Sequence, residues 1–145
     1  MLDTISKLLT GDMLKILCDM GHGDTIVLAD ANFPGETCAQ RLVRVPGITA
    51  TQILEAITPI FPLDVNYTDF PAAVMDLTPA DKQRGLPAPE AWADYVRVLQ
   101  TRWPAITLGK IDRFDFYARA REAYAVIQTG EERIYGNLLL TKGIV

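Results

Sequence analysis

The run Thr25–Ala29 is the feature that most constrains the fold of this 145-residue chain. It holds no charged side chain, and its three central residues are Ile, Val and Leu. A short apolar run of this kind is typical of a strand that is buried on both faces, as the strands of parallel sheets are. Asp30 follows the run directly. Because ligands bind beyond the carboxyl ends of strands in open α/β sheets, this carboxylate is a candidate binding residue.

Amphipathic helices alternate with short strands along the rest of the chain. Thr10 caps a predicted helix over 11–20, and Thr49 with Gln52 forms a capping box for a helix that ends before Pro59. The other predicted elements are strands over 42–45, 72–77, 106–108, 123–127 and 134–140, helices over 89–100 and 114–122, and a surface loop over 78–90. The last two strands flank a Thr-Gly-Glu-Glu segment, which predicts a hairpin. This order predicts one α/β domain over 1–145, with a mixed sheet.

Composition limits the classes of partner. The formal net charge is -4 and the sequence pI is about 4.9, so the chain lacks the clustered positive charge that binds nucleic acids or anionic membranes. No apolar run approaches the ~20 residues of a membrane span. Cys18 and Cys38 fit small buried hydrophobes better than a disulfide framework. Without the pattern of a secretory signal, we expect a cytoplasmic protein.

His22 is the only histidine and lies between Gly21 and Gly23. An imidazole titrates near neutral pH, so this side chain is the best candidate for proton transfer; the alternative is an ordinary surface or capping histidine. Asp24 is close enough in sequence to orient the ring. One histidine and two distant cysteines make no convincing set of metal ligands, and we expect neither a metal nor a cofactor. The sequence holds no complete GxGxxG, P-loop or GxSxG motif.

Three further positions carry weaker signals. Asp30 could simply begin a turn instead of binding a ligand. Arg113 begins a predicted helix behind Asp112, and its alternative is a solvated or salt-bridged side chain. Tyr135–Asn137 interrupts a predicted strand with a glycine, which indicates either a sheet irregularity or a close approach of the backbone to a ligand.

Four stretches, taken in order, closely resemble the ribose pyranase and fucose mutarotase family. They are Met20–Asp24, Ala29–Pro34, Arg113-Phe114 with Phe116-Tyr117, and Tyr135–Asn137 with Lys142-Gly143. The resemblance covers most of the chain and is weak over 66–103. The ribose branch typically reads Gly-His-Thr-Asp in the first stretch and carries a second histidine at the position of Arg113. This chain reads Gly-His-Gly-Asp and has no second histidine, which favours the fucose branch.

The resemblance implies a three-layer α/β/α fold, RbsD-like, with a mixed, largely parallel sheet. It implies a cofactor-independent isomerase that interconverts the anomers of L-fucopyranose, with pyranose–furanose exchange of D-ribose as a further activity. The roles it implies are a proton donor at His22 and sugar-binding residues at Asp30, Arg113, Tyr135, Gly136 and Asn137. Because the family forms rings with sites near subunit contacts, we expect a homodecamer or another ring-shaped homo-oligomer.

Acid–base chemistry is consistent with these residues. Opening of a pyranose ring needs a proton delivered to the ring oxygen and another removed from the anomeric hydroxyl, and closure on the other face reverses both transfers. A positioned general acid contributes about 10²–10⁴-fold to such a step. Two alternatives stay open at this point: a sugar-binding or sensing protein without catalysis, and a structural ring-forming protein that binds no sugar.

Overall fold

The computed structural model describes residues 2–145, which contain six strands and six helices. The strands are β1 (Thr25–Ala29), β2 (Leu42–Val45), β3 (Ala72–Met75), β4 (Gly109–Ile111), β5 (Ala125–Thr129) and β6 (Leu138–Thr141). The helices are α1 (Gly11–Asp19), α2 (Gly35–Cys38), α3 (Ala50–Ile57), α4 (Pro79–Gln83), α5 (Glu90–Gln100) and α6 (Arg113–Glu122). None of the helices in the described range is long and apolar enough to cross a bilayer.

The strands form one sheet in the order β2-β5-β1-β6-β3-β4. The pairs β1–β5, β2–β5 and β3–β4 are parallel, whereas β6 runs antiparallel to both of its neighbours. The prediction of a mixed, largely parallel sheet is therefore confirmed. Strand β1 lies inside the sheet, where Ile26 pairs with Ala125 on one side and Leu140 on the other.

Two cores lie on opposite faces of the sheet, and β1 contributes to both. Ile26 and Leu28 face one core, while Val27 and Ala29 face the other, and all four are fully buried. The first core includes Met13 of α1, Ile53 of α3 and Tyr95 of α5; the second includes Cys38 of α2 and Phe116 of α6. Helices thus cover both faces, which gives the expected three layers and explains why the β1 sequence is apolar at every central position.

The predicted helix starts are confirmed by their caps. The Thr10 side chain accepts a hydrogen bond from the Met13 backbone N–H, and Thr49 and Gln52 form the reciprocal capping box at the start of α3. A cap of this kind stabilises a helix by about 1 kcal/mol.

Three local predictions are wrong. The strands at the end of the chain do not form a hairpin, because β1 lies between β5 and β6 and pairs with both. The turn signal between them is overridden by pairing with a strand about a hundred residues away. The fourth strand begins at Gly109, three residues later than the predicted one, and residues 79–83, predicted as loop, form the short helix α4 behind its Thr78 cap.

Candidate functional site

A cavity of about 310 Å³ opens beyond the carboxyl end of β1. Four of the predicted site residues line it: Asp30, Arg113, Tyr135 and Asn137. Gly136 lies in the chain between two of these residues, and the apolar part of the lining comes from Phe33, Met75 and Ile134. Residues from the two ends of the chain and from α6 thus meet at the sheet edge where ligands of α/β proteins usually bind.

Asp30 and Asn137 hold each other in fixed positions at the floor of this cavity. The Asn137 Nδ2 donates to Asp30 Oδ2 at 2.7 Å, and the Asp30 backbone N–H donates to Asn137 Oδ1 at 2.9 Å. The Asn32 backbone N–H donates to the other carboxylate oxygen at 3.0 Å. Burial nevertheless raises the pKa of Asp30 above its ordinary value, since desolvation outweighs these hydrogen bonds. A carboxyl group of raised pKa in a cavity is suited to exchanging a proton.

Tyr135 adopts a backbone conformation that side chains other than glycine rarely take. Its φ is 58°, in the left-handed region, which costs on the order of 1 kcal/mol. Two buried donors hold the segment there: Trp92 Nε1 donates to the Tyr135 carbonyl at 3.0 Å, and the Tyr95 hydroxyl donates to the Gly136 carbonyl at 2.7 Å. Helix α5, in the stretch where the family resemblance is weak, therefore fixes the loop that lines the cavity.

A glycine is required at position 136 by close packing. A Cβ atom there would lie 2.8 Å from Glu131 Cγ and 3.0 Å from the Arg133 carbonyl oxygen. This close packing accounts for the glycine in Tyr135–Asn137. The segment lies in the loop before β6 and not within a strand, so the prediction of a sheet irregularity is wrong.

The Tyr135 hydroxyl is already engaged by the protein. It donates to the Asp81 carboxylate and accepts from the Thr78 backbone N–H at 3.1 Å. Hydrogen bonds from Tyr135, Arg84 and Thr78 lower the pKa of Asp81 to about 2. A ligand in the cavity therefore meets the ring of Tyr135, while the hydroxyl anchors that ring to α4.

Arg113 supplies the positive charge of the cavity. It is the first residue of α6, whose N-cap Asp112 accepts from the Phe114 backbone N–H at 2.9 Å. The guanidinium lies 5.7 Å from the centre of the Tyr117 ring and, among residues 2–145, forms no salt bridge with a carboxylate. The salt-bridged form of the alternative is therefore wrong, whereas the solvated form fits, because Arg113 is exposed. The exposed guanidinium lines the cavity and is available to a ligand.

His22 lies at the other end of β1, before its first residue. A five-residue strand is about 17 Å long, so His22 and the Asp30 cavity of one chain do not reach the same monosaccharide. The His22 side chain is 45% exposed, and its ring centre lies 5.4 Å from that of Tyr67. It borders a separate, largely apolar groove of about 630 Å³.

The partner of the imidazole differs from the predicted one. Asp24 accepts from the Gly21 backbone N–H at 2.7 Å and thereby shapes the turn before β1. Asp64 takes the expected place instead, with its Oδ1 at 3.3 Å from His22 Nε2. It lies 42 residues further along the chain, where no local sequence pattern indicates the contact. Among residues 2–145, no three His, Cys, Asp or Glu side chains cluster as a metal site would require.

The resemblance and the geometry agree with the comparisons to known proteins. The model of the RbsD / FucU transport protein family matches residues 3–145. The chain belongs to this family. It is 46% identical to the fucose mutarotase of Homo sapiens over 144 residues, which are 97% of this chain and 92% of that protein.

Solved structures of the RbsD / FucU family share the fold. The fucose mutarotase of Streptococcus pneumoniae in complex with L-fucose superposes with a TM-score of 0.89, at 37% identity over 99% of both chains. RbsD of Bacillus subtilis complexed with D-ribose superposes with a TM-score of 0.70, at 22% identity over 100% of this chain and 99% of that one, a likeness of fold alone.

Proposed function

We propose that this chain is an L-fucose mutarotase, a cofactor-independent isomerase that interconverts the α and β anomers of L-fucopyranose. The observation that carries the proposal is the cavity at the end of β1, with its locked Asp30–Asn137 pair, in a chain of this similarity to fucose mutarotases. The crystallised relative with bound L-fucose supports the same substrate.

The cavity suits a monosaccharide. Its volume of about 310 Å³ is at the lower end of ligand pockets, which suits a single sugar ring. Asp30, Arg113 and Asn137 offer an acceptor, a charged donor and an amide to sugar hydroxyls. The Tyr135 ring, together with Met75, offers apolar surface to the C–H face and to the methyl group that distinguishes fucose from most hexoses.

The reaction requires two proton transfers and no covalent intermediate. His22 delivers a proton to the ring oxygen as the bond from C1 to that oxygen breaks. The proton of the anomeric hydroxyl passes to Asp30, whose pKa burial raises, and the C1 aldehyde forms. Rotation about C1–C2 and closure on the other face reverse both transfers. A positioned acid supplies about 10²–10⁴-fold, which suffices because the uncatalysed exchange is already fast.

A complete site then needs two copies of the chain. One chain holds the sugar-binding cavity at one end of β1 and His22 at the other, about 17 Å away along the strand. Both ends expose large aromatic side chains, since Phe114 beside Arg113 is 77% exposed and Tyr67 beside His22 is 70% exposed. Contact between the His22 end of one copy and the cavity end of the next is head-to-tail, and contacts of this kind form a ring when the rotation between successive copies closes. We infer a homodecamer or another closed ring.

Exchange NMR of α/β interconversion across a panel of sugars tests the function. We expect faster exchange of L-fucose than of D-glucose, with some pyranose–furanose exchange of D-ribose. Saturable binding of L-fucose without faster exchange would favour the sugar-binding or sensing alternative. No binding of any sugar would favour a structural ring protein, and the fastest exchange with D-glucose would contradict the fucose assignment.

A further inference from the structure

Asp64 is a buried carboxylate whose two oxygens have separate partners. Its side chain is only 5% exposed. Oδ1 faces His22 Nε2 at 3.3 Å, and Oδ2 accepts from the Thr68 hydroxyl at 2.6 Å. The Asp64 backbone is also fixed, because its N–H donates to the Thr141 carbonyl at 3.1 Å, next to the bridge between Leu63 and Lys142. The orientation of the carboxylate is thus fixed by a partner on each oxygen and by the backbone hydrogen bond.

We propose that Asp64 is a positioning residue for His22. Its carboxylate keeps the proton of the imidazole on Nε2, so that Nδ1 is the nitrogen that exchanges a proton with the sugar. This inference rests on the proposed function and deepens it. A carboxylate acts only as an acceptor, so the imidazole nitrogen that faces it carries the proton. The second ring nitrogen is then the one that can gain and lose a proton during turnover.

The electrostatics of the pair support this role. The hydrogen bond from Thr68 lowers the pKa of Asp64, and the contact with His22 lowers it further against the opposing effect of burial. Asp64 is therefore held in its ionised form, in which it accepts the hydrogen bond from His22 Nε2. The ring of Tyr67 lies beside the imidazole, tilted by 60°.

The proton balance follows from this geometry. In the proton-donating form, both nitrogens of His22 carry a proton. Nδ1 gives its proton to the ring oxygen of the sugar as the bond from C1 to that oxygen breaks. Nε2 keeps its proton, which stays hydrogen-bonded to Asp64. The electron pair of the broken bond stays on the ring oxygen. On closure, the new hydroxyl at that oxygen returns its proton to Nδ1. Among residues 2–145, Nδ1 has no hydrogen-bond partner that would block this exchange.

The single histidine makes the test direct, since every imidazole ¹⁵N resonance of the chain belongs to His22. We would record the imidazole ¹⁵N shifts and the Nε2–H cross-peak of the full chain at pH 8, and measure L-fucose exchange rates by NMR. The variants are Asp64→Ala, Thr68→Val and Thr68→Ser. Asp69→Asn, an exposed aspartate of the same loop, is the matched control.

In Asp64→Ala we expect loss of the Nε2–H cross-peak, a mixture of tautomers and a fall in kcat of about 10-fold or more, within the range that a positioned acid supplies, with KM changed less than twofold. Thr68→Val should give a smaller change in both readouts, because it keeps the carboxylate but frees its orientation. Thr68→Ser should restore the wild-type values, and Asp69→Asn should retain them.

An unchanged imidazole spectrum in folded Asp64→Ala, or an unchanged kcat, would overturn the proposal. If Asp64→Ala does not fold, Thr68→Val decides by the same two readouts. Failure of the proposed function looks different: wild-type chain would then give no faster exchange than buffer, while the dependence of the His22 tautomer on Asp64 would remain.

Discussion

The candidate site residues at the two ends of β1 differ in how many of their polar partners come from the same chain. At the carboxyl end, Asp30 is buried, and Asn137 and Asn32 satisfy both of its oxygens from within the same chain. At the amino end, His22 is 45% exposed and has one polar partner on one side of the ring. The first region is built like a binding pocket, and the second like half of a site that something else must cover.

In the proposed reaction, the sugar-binding residues and the proton acceptor Asp30 lie at one end of β1, and the proton donor His22 lies at the other. Positions 22 and 30 lie close in sequence, yet the intervening strand β1 places them at its two opposite ends. Substitutions at the cavity end should therefore affect stability and sugar affinity together. Substitution of the half-exposed His22 itself should affect turnover and leave stability unchanged.

The largest expected effect is that of His22→Ala. Loss of the acid should lower the rate of L-fucose exchange by about 10²–10⁴-fold, with circular dichroism and thermal midpoint unchanged because the ring is half exposed between two glycines. His22→Gln is the matched variant that keeps a polar side chain. Wild-type exchange rates in folded His22→Ala would show that the residue at the amino end of β1 is not the proton donor.

Asn137→Ala should be costly in both stability and affinity. It removes a donor and an acceptor from the buried Asp30 and leaves both groups without a partner, which destabilises by about 1–3 kcal/mol. The loss of sugar affinity should be about 10-fold or more. Chemical denaturation and sugar titration measure the two effects. A variant that loses affinity at full stability would show that Asp30 is not locked by Asn137.

The Tyr135–Asp81 contact predicts a smaller, pH-dependent effect. The pKa of Asp81 falls from 3.8 to about 2 on folding, so its contribution is fully present above pH 3.8 and is lost as the pH falls through about 2. Asp81→Asn should therefore lower the thermal midpoint at pH 6 and approach the wild-type value near pH 2. A few-fold rise in KM should accompany it, since Tyr135 loses its anchor. If the difference in thermal midpoint between wild type and Asp81→Asn grew as the pH fell, the ionised form of Asp81 would not be the stabilising one.

The smallest expected effect is that of metal removal. Dialysis against a strong chelator should leave the exchange rate unchanged, because one histidine and two distant cysteines offer no convincing ligand set. Loss of activity that a divalent ion restores would mean that the site has been misread.

Local sequence patterns predicted the parts of the molecule that local physics determines. The apolar run of β1 and the caps at Thr10 and Thr49 specify their elements within a few residues, and the structure has them as predicted. The wrong prediction of a hairpin shows what local patterns cannot predict. Strand β1, about a hundred residues away in the chain, lies between β5 and β6 and pairs with both. Of the cavity residues, Asp30 was indicated by its place after an apolar strand, whereas the signals at Arg113 and Tyr135–Asn137 were weak until the family resemblance joined them.

Two contacts that define the site were beyond sequence reasoning altogether. Asp64 reaches His22 across 42 residues, and Asp81 reaches Tyr135 across 54. Asp81 belongs to the helix-capping pattern that begins at Thr78, but this pattern does not indicate a contact with Tyr135. No local pattern indicates the contact between Asp64 and His22. Only the packing of α4 and of the loop after α3 brings these carboxylates to their partners.

Mixed assemblies of two inactive variants test the shared site most directly. His22→Ala and Asp30→Ala chains, each inactive alone, would be unfolded together in equal amounts and refolded, with co-assembly verified by native mass spectrometry. A site that takes His22 from one copy and Asp30 from the next is intact in about one quarter of contacts, so about a quarter of the wild-type exchange rate should return. No recovery in verified mixed assemblies, or a fully active monomer, would contradict the account.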